Sequence, residues 1–235
     1  RAILEEQTRG QVYIDIRHRG RDYLENRFPA IYAECRKHGV LMDRDLIPVS
    51  PAAHYTCGGI KVNHDGETSI PGLLAVGECT CTGIHGANRL ASNSTLECLT
   101  FSAFAAAKMH EEAPTGESSV TTIDKVTPMP SDPTLRRRLQ ELMWEKAGII
   151  RSEEKLREAN EGLEELEAYR PEATSRDTIE LRNLLDASRL VVNSAYTRRE
   201  SRGTHYMEDH PNRDDQHWLQ HVTITGEMIK LEPHN

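Results

Sequence analysis

The stretch TGIHGANRLASNSTLECLTFSAFAAAKMHEE, residues 82–112, decides how this chain is read. Its first half crowds Gly83, His85, Gly86, Asn88, Arg89 and Asn93 together. Its second half is a long, mostly apolar run whose pattern predicts a buried helix over 92–111. A helix starting near Ser92–Ser94 leaves its first N–H groups without intrahelical acceptors, and these carry partial positive charge. Asn93 and Ser94 add donors and capping oxygens, while Gly83 and Gly86 allow unusual backbone angles or close approach. Such a helix mouth suits an anion or an electron-rich carbonyl. Arg89, just before it, has two readings. It holds a carboxylate through two parallel hydrogen bonds, or it is a surface Arg beside a capped helix.

Upstream, LLAVGE (73–78) reads as a short apolar strand of the buried parallel kind, ending at Gly77-Glu78. Ligands collect at the C-terminal ends of such strands. Glu78 therefore either accepts hydrogen bonds from sugar hydroxyls or caps the following loop. In PAAHYTCGGI (51–60), His54 precedes Gly58-Gly59, where the backbone can pass close to a flat ligand. A lone His is also a common structural or surface residue. Further strands are expected at QVYIDIRH, 46–50 and 59–63. NHDGET supplies a hairpin-type turn through Asp65-Gly66. A helix tail is expected at 1–8, and a helix over 21–39 with a break near Pro29 and a stop at Gly39.

Beyond residue 112 the composition turns polar and proline-containing (APTGESSVTTIDKVTPMPSD), as in a linker. Asp132-Pro133 then offers a capping side chain followed by Pro at the first helical position. Three helices follow, with apolar stripes at Leu135, Leu139, Leu142 and Trp144; at Leu156, Ala159, Leu163 and Leu166; and at Leu181, Leu184, Ser188, Val191, Val192 and Ala195. Stripes of this kind predict a small bundle. The tail turns back with one strand, LQHVTITG.

The formal net charge of −8 gives no electrostatic reason to seek nucleic acid or acidic lipid. No apolar run approaches the roughly 20 residues needed to span a bilayer. An odd count of five Cys points to reduced thiols and a cytoplasmic setting. Cys79 and Cys81 lack companions for a metal site, so none is expected. The opening RAILEEQTRG reads as helix without a starting Met, and the chain is expected to be a fragment of a longer protein.

Taken in order, HYTCGGIKVNHDGETSIPGLLAVGECTCTGIHGANRLASNSTLE (54–97) resembles the signature of the flavoprotein family of succinate dehydrogenases, fumarate reductases and L-aspartate oxidases. HYTCGG and LASNSTLE look like the L-aspartate oxidase branch. So do MWEKAGIIRSEEKL, ELRNLLDASRLVVNSAYTRRESRGTHY and RDDQHWLQHV in the helical part, so the resemblance covers essentially the whole chain.

The resemblance implies an α+β chain: the C-terminal part of a two-dinucleotide-binding-type flavoprotein fold, with short strands plus a buried helix, followed by a three-helix bundle domain. Residues 1–47 would end a capping domain, 48–112 would be the C-terminal segment of the FAD-binding domain, 113–130 the linker, and 131–235 a helical domain with an extended tail. It implies FAD as cofactor, with Glu78 on its ribityl or ribose hydroxyls. Asn93 and the backbone N–H groups of Ser94 and Thr95 would face the flavin ring near N1, where reduction places negative charge. The family usually has Leu at the position of Thr95, a change that a backbone contact tolerates.

His54 and Arg89 would bind the carboxylates of L-aspartate, with His85 and Asn88 as supporting residues or loop residues. Oxidation to iminoaspartate, with oxygen or fumarate as acceptor, would open quinolinate and NAD synthesis, making quinolinate synthase a candidate partner. The family's Gly-x-Gly-x-x-Gly fingerprint is absent from this sequence, and its proton-transferring Arg lies upstream of the segment matching RAILEE, so Arg1 is not given that role. The N-terminal FAD domain is then a required partner, and the chain alone is expected not to turn over aspartate. The alternatives are a succinate dehydrogenase or fumarate reductase subunit, and a non-catalytic helical interaction module.

Overall fold

The computed structural model describes residues 1–111 and 132–233. The linker expected over 113–130 lies outside the described residues. The chain divides into two units, Arg1–His54 and Tyr55–Asn235.

The first unit runs α1 (Ala2–Gln7), β1 (Val12–Ile14), a 3-10 turn (Arg17–Arg19), α2 (Arg21–Arg27), α3 (Pro29–Lys37) and β2 (Ile47–Val49). Pro29 lacks the N–H that would continue α2 and suits the first position of α3, which explains the break. β1 and β2 pair antiparallel, Val12 opposite Val49. Leu24, Tyr32 and Met42 form a small core. The Tyr32 hydroxyl leaves it by donating to Asp43 Oδ1 at 2.9 Å.

The second unit begins with β3 (Ile60–Lys61) and β4 (Thr80–Cys81), which pair in parallel. The strand expected at 73–77 does not form. Leu74 makes one isolated bridge, to Glu67. Gly72 and Gly77 bracket the segment at φ +77° and +87°, and the Ala75 N–H donates to Gly66 O at 2.9 Å. The segment therefore wraps the Gly66 turn as a loop, and Glu78 lies in the turn leading into β4.

Helix α4 spans Asn93–Glu111, and the expectation that it is buried needs correction. Among its described side chains only Glu97 and Ala105 are buried, while Leu96 and Leu99 are 63% and 67% exposed. The helix is apolar around most of its circumference, so burying it takes cover on two sides. One side is supplied by the 63–67 turn, where His64 stacks on Phe104 at 4.2 Å and Gly66 lies against Ala105.

Three further helices, α5 (Pro133–Ala147), α6 (Glu153–Glu167) and α7 (Arg176–Thr197), share one core. Each starts on a side-chain cap. Asp132 accepts from the Thr134 N–H, Ser152 from Lys155, and Ser175 forms a capping box with Thr178. The buried stripe of α7 runs Leu181, Leu185, Ser188, Val192, Ala195; Leu184 and Val191, expected inside, are exposed, as is Trp144 on α5. The choice of Leu185 over Leu184 is a rotation of the helix that spacing alone leaves open. Met207, from the tail, completes this core. The tail continues with α8 (Asp215–Trp218), β5 (Gln220–Thr225) and β6 (Met228–Pro233). β5 and β6 form an antiparallel hairpin on the Gly226-Glu227 turn, with Gly226 at φ +60°. Lys61 on β3 pairs with Glu232 on β6.

A buried polar network joins the α5–α6 turn, the end of α7 and the tail. Arg151 Nη1 donates to His205 Nδ1 at 2.9 Å, and His205 Nε2–H donates to the Arg198 carbonyl at 3.0 Å. Burial, with Arg151 and Arg198 nearby, pushes His205 down to about 4. The unfolded imidazole titrates near 6.5, so between pH 6.5 and 4 the unfolded chain binds the extra proton and stability falls as pH falls. The expected loss is about 2 kcal/mol over that window, allowing for the partial exposure of the ring. Urea unfolding of the parent and of His205→Asn at pH 7 and pH 4.5 measures it. The variant should lose distinctly less between the two pH values; equal losses would refute the assignment to His205.

Candidate active site

Residues 83–93 reach α4 through successive tight turns. The Gly86 N–H donates to Gly83 O at 3.1 Å, Asn88 N–H to His85 O at 3.2 Å, and Asn93 N–H to Leu90 O at 3.1 Å. Ser92 takes φ +70° at the helix start, a conformation rare for residues with a Cβ. These turns bring Arg89 to the first turn of α4. Its Nη1 donates to Ser94 Oγ at 3.3 Å, and its guanidinium carbon sits 4.3 Å from the centroid of the Tyr55 ring. That contact is a cation–π stack.

One helical turn further on is Glu97, 2% exposed. Its carboxylate accepts from Thr82 Oγ1 at 2.5 Å, His85 Nε2 at 2.7 Å and the Tyr55 hydroxyl at 3.1 Å. Burial alone would raise the Glu97 carboxyl, but the hydrogen bonds from Thr82, His85 and Tyr55 outweigh it and hold it below the usual range. Burial and the bond to Glu97 push the Tyr55 phenol up to about 12, which keeps it a donor. An ionised carboxylate only accepts, so His85 carries a proton on Nε2. His85 Nδ1 and Arg89 Nε are buried and have no partner among the described residues.

The other candidates fall as follows. Asn93 and Ser94 are half-buried and Thr95 exposed at the start of α4, where the Ser94 and Thr95 N–H groups have no intrahelical acceptor. Glu78 is exposed, and its Oε1 accepts the Thr56 N–H at 3.1 Å. Beside it Gly59 passes so close to Cys79 that a Cβ would lie 2.3 Å from the carbonyl oxygen. His54 is exposed and is the last residue of the first unit. Arg89 and Ser94 are thus brought into contact.

A second segment holds the turns from behind. The Thr204 N–H and Oγ1 both donate to Ala87 O, at 3.0 and 3.2 Å. Gly203, at φ +58°, lies against the same carbonyl.

Comparison with known proteins gives two family-model matches: an FAD binding domain over residues 1–95 and the fumarate reductase flavoprotein C-terminal domain over 136–234. The chain belongs to this flavoprotein family. It is 40% identical over 240 residues to the L-aspartate oxidase of Streptomyces coelicolor, covering 94% of this chain and 41% of that protein. It is 42% identical over 213 residues to the L-aspartate oxidase of Pseudomonas aeruginosa, covering 86% and 40%. Among solved structures, an Escherichia coli quinol fumarate reductase FrdA variant superposes with a TM-score of 0.79 at 30% identity, covering 97% of this chain and 46% of that one. Mycobacterium smegmatis Sdh1 with UQ1 gives 0.72 at 28% identity, covering 95% and 43%. The flavoprotein chain described here thus spans about two-fifths of the length of the curated relatives it matches. Among its described residues no helix is long and apolar enough to cross a membrane.

The donor-rich start of α4, with two unpartnered buried nitrogens beside it, fits an anionic ligand and a cofactor bearing ring carbonyls. Glu97, Thr82 and Tyr55 belong to the cluster beside Arg89, and the sequence alone did not single them out. Glu97 had one available signal: it is the sole acid between Glu78 and Glu111, set in an otherwise apolar helix.

Proposed function

We propose that this chain is the C-terminal part of an FAD-dependent L-aspartate oxidase, acting in the cytoplasm or its equivalent. The parent enzyme oxidises L-aspartate to iminoaspartate with oxygen or fumarate as acceptor, the first step toward quinolinate and NAD. The single observation that carries this reading is Arg89, stacked on Tyr55 and bonded to Ser94 where α4 begins. The site places one fixed cation and the open N–H groups of a helix side by side, as a diacid and a flavin would require.

In this reading Arg89 binds a substrate carboxylate. Ser94 and Thr95 N–H groups, with Asn93, hold the flavin ring, and Glu78 binds hydroxyls of its side chain. When bound, FAD would accept one hydride from the substrate Cα, which carries both electrons, while the amine nitrogen gives up a proton. The protein's own contribution is to orient the diacid and to keep the helix start open toward the ring. The remaining FAD contacts come from an N-terminal domain of the same protein. The exposed Leu96 and Leu99 of α4 are the surface such a domain would cover. The second reading, a succinate dehydrogenase or fumarate reductase subunit, is less favoured because identity reaches 42% with an L-aspartate oxidase and 30% with the fumarate reductase structure.

The test is anaerobic flavin reduction in the FAD-loaded, full-length protein. L-Aspartate should bleach the flavin and succinate should not; the reverse result would move the protein to the dehydrogenase branch. Arg89→Ala should raise KM for L-aspartate about 30-fold, a loss near 2 kcal/mol for one charge-assisted carboxylate contact. Flavin reduction by substrate unaffected by that change would support a non-catalytic module instead.

A further inference from the structure

We infer that Glu97 is the positioning residue that fixes Arg89 and His85 for the dicarboxylate. The inference rests on the substrate reading above. One buried carboxylate gathers three groups from three segments: Tyr55 ahead of the Gly58-Gly59 loop, Thr82 just after β4, and His85 in the turns before α4. One of them bears on Arg89 directly and a second through it. The Tyr55 ring is the floor under the guanidinium, and the His85 ring meets Tyr55 edge-on, 5.4 Å between centroids at 89°. With its hydroxyl held by Glu97, Tyr55 has one ring orientation. Without that bond Arg89 would keep its 3.3 Å contact to Ser94 over a ring that is free to turn. Paired recognition of a carboxylate by Arg needs its fork held within about 10–20° of the productive angle. His85 is fixed in the same way: Nε2–H is committed to Glu97, which leaves Nδ1, buried and without a partner among the described residues, as an acceptor suited to an N–H group of the ligand and not to its carboxylates.

The charge of Glu97 makes the idea testable by sign. A buried anion close to an anion-binding Arg works against the ligand by Coulomb repulsion. If charge were all that Glu97 contributed, Glu97→Gln would improve binding of the diacid. Positioning predicts the opposite, because a neutral amide cannot accept from all three donors at once.

In the FAD-loaded full-length protein, Glu97→Gln should raise KM for L-aspartate about tenfold. Its kcat should fall less than KM rises, and its flavin content should match the parent. Tyr55→Phe, which keeps the ring and loses the hydroxyl, should raise KM about threefold, and Tyr55→Leu about tenfold. In an Arg89→Ala background Glu97→Gln should add nothing further to KM, a coupling that a merely structural role would not produce. An unchanged or lowered KM in Glu97→Gln overturns the inference while leaving the substrate reading intact, provided Arg89→Ala raises KM. An unchanged KM in Arg89→Ala sinks the substrate reading itself. If Glu97→Gln does not fold, Tyr55→Leu decides, and a KM change below twofold there overturns the positioning role.

Discussion

Glu200→Ala is expected to destabilise the protein by about 4 kcal/mol, the cost of breaking a buried ion cluster by removing one member. Glu200 is fully buried. Its carboxylate accepts from Arg198 Nη1 at 2.7 Å, from Arg202 Nε and Nη2 at 2.6 and 2.9 Å, and from the Asp214 N–H at 2.9 Å. Burial alone would raise its carboxyl, and the bonds from Arg202, Asp214 and Arg198 more than reverse that. Alanine would leave two guanidinium groups facing each other with little water. The same Arg198 also donates to the Trp218 and Gln220 carbonyls, so α8 and the start of β5 depend on it. Urea unfolding gives the magnitude, and hydrogen exchange should show the 214–225 region opening first. A loss below 1 kcal/mol would mean that the two arginines find other partners and that the cluster contributes little. Glu200→Gln, which keeps the shape and part of the bonding, should fall between.

The second large effect is expected at Gly203. A Cβ there would lie 2.2 Å from the Ala87 carbonyl oxygen and 2.8 Å from the Ala87 Cβ. Both neighbours are part of the backbone or fixed to it, so the two segments must separate by close to an ångström. The φ of +58° adds a cost of its own for any residue with a Cβ. Gly203→Ala should therefore lose about 3 kcal/mol of stability. If the full-length protein is the proposed L-aspartate oxidase, the change should also raise KM for L-aspartate several-fold, because the displaced carbonyl belongs to the turns that carry Arg89. Thr204→Val is the control: it keeps the N–H bond to Ala87 and loses only the Oγ1 bond, for about 1 kcal/mol. If Gly203→Ala unfolds the chain no more readily than Thr204→Val, the close contact is not as rigid as described.

Much of this was legible in the chain. Pro29 marked the break between α2 and α3, Asp132-Pro133 marked the start of α5, and residues 82–112 announced a donor-rich turn leading into a long helix. These features are local: each is set by one residue's missing N–H, capping oxygen or positive φ. What escaped depends on distant parts. The strand expected at 73–77 was lost to Gly72 and Gly77, whose turns matter more than the apolar run between them. Leu185 replaced Leu184 inside the core because the rotation of α7 is set by the helices it meets. The network around Glu97 joins residues up to 42 positions apart, and no spacing rule connects Tyr55 to it. The exposure of Leu96 and Leu99 follows from what packs on α4, which its own apolar pattern does not report.

The bond from Thr204 to Ala87 spans 117 positions. A ribosome delivers chain in one direction, so Ala87 and Arg89 emerge long before the residue that pins them, at roughly 5–20 residues per second. During those seconds the turns at 83–93 exist with all their side chains and without their brace. Nascent chains stalled before Gly203 should thus hold Arg89 on a loose loop, and completion of the site should coincide with release of the helical half from the exit tunnel.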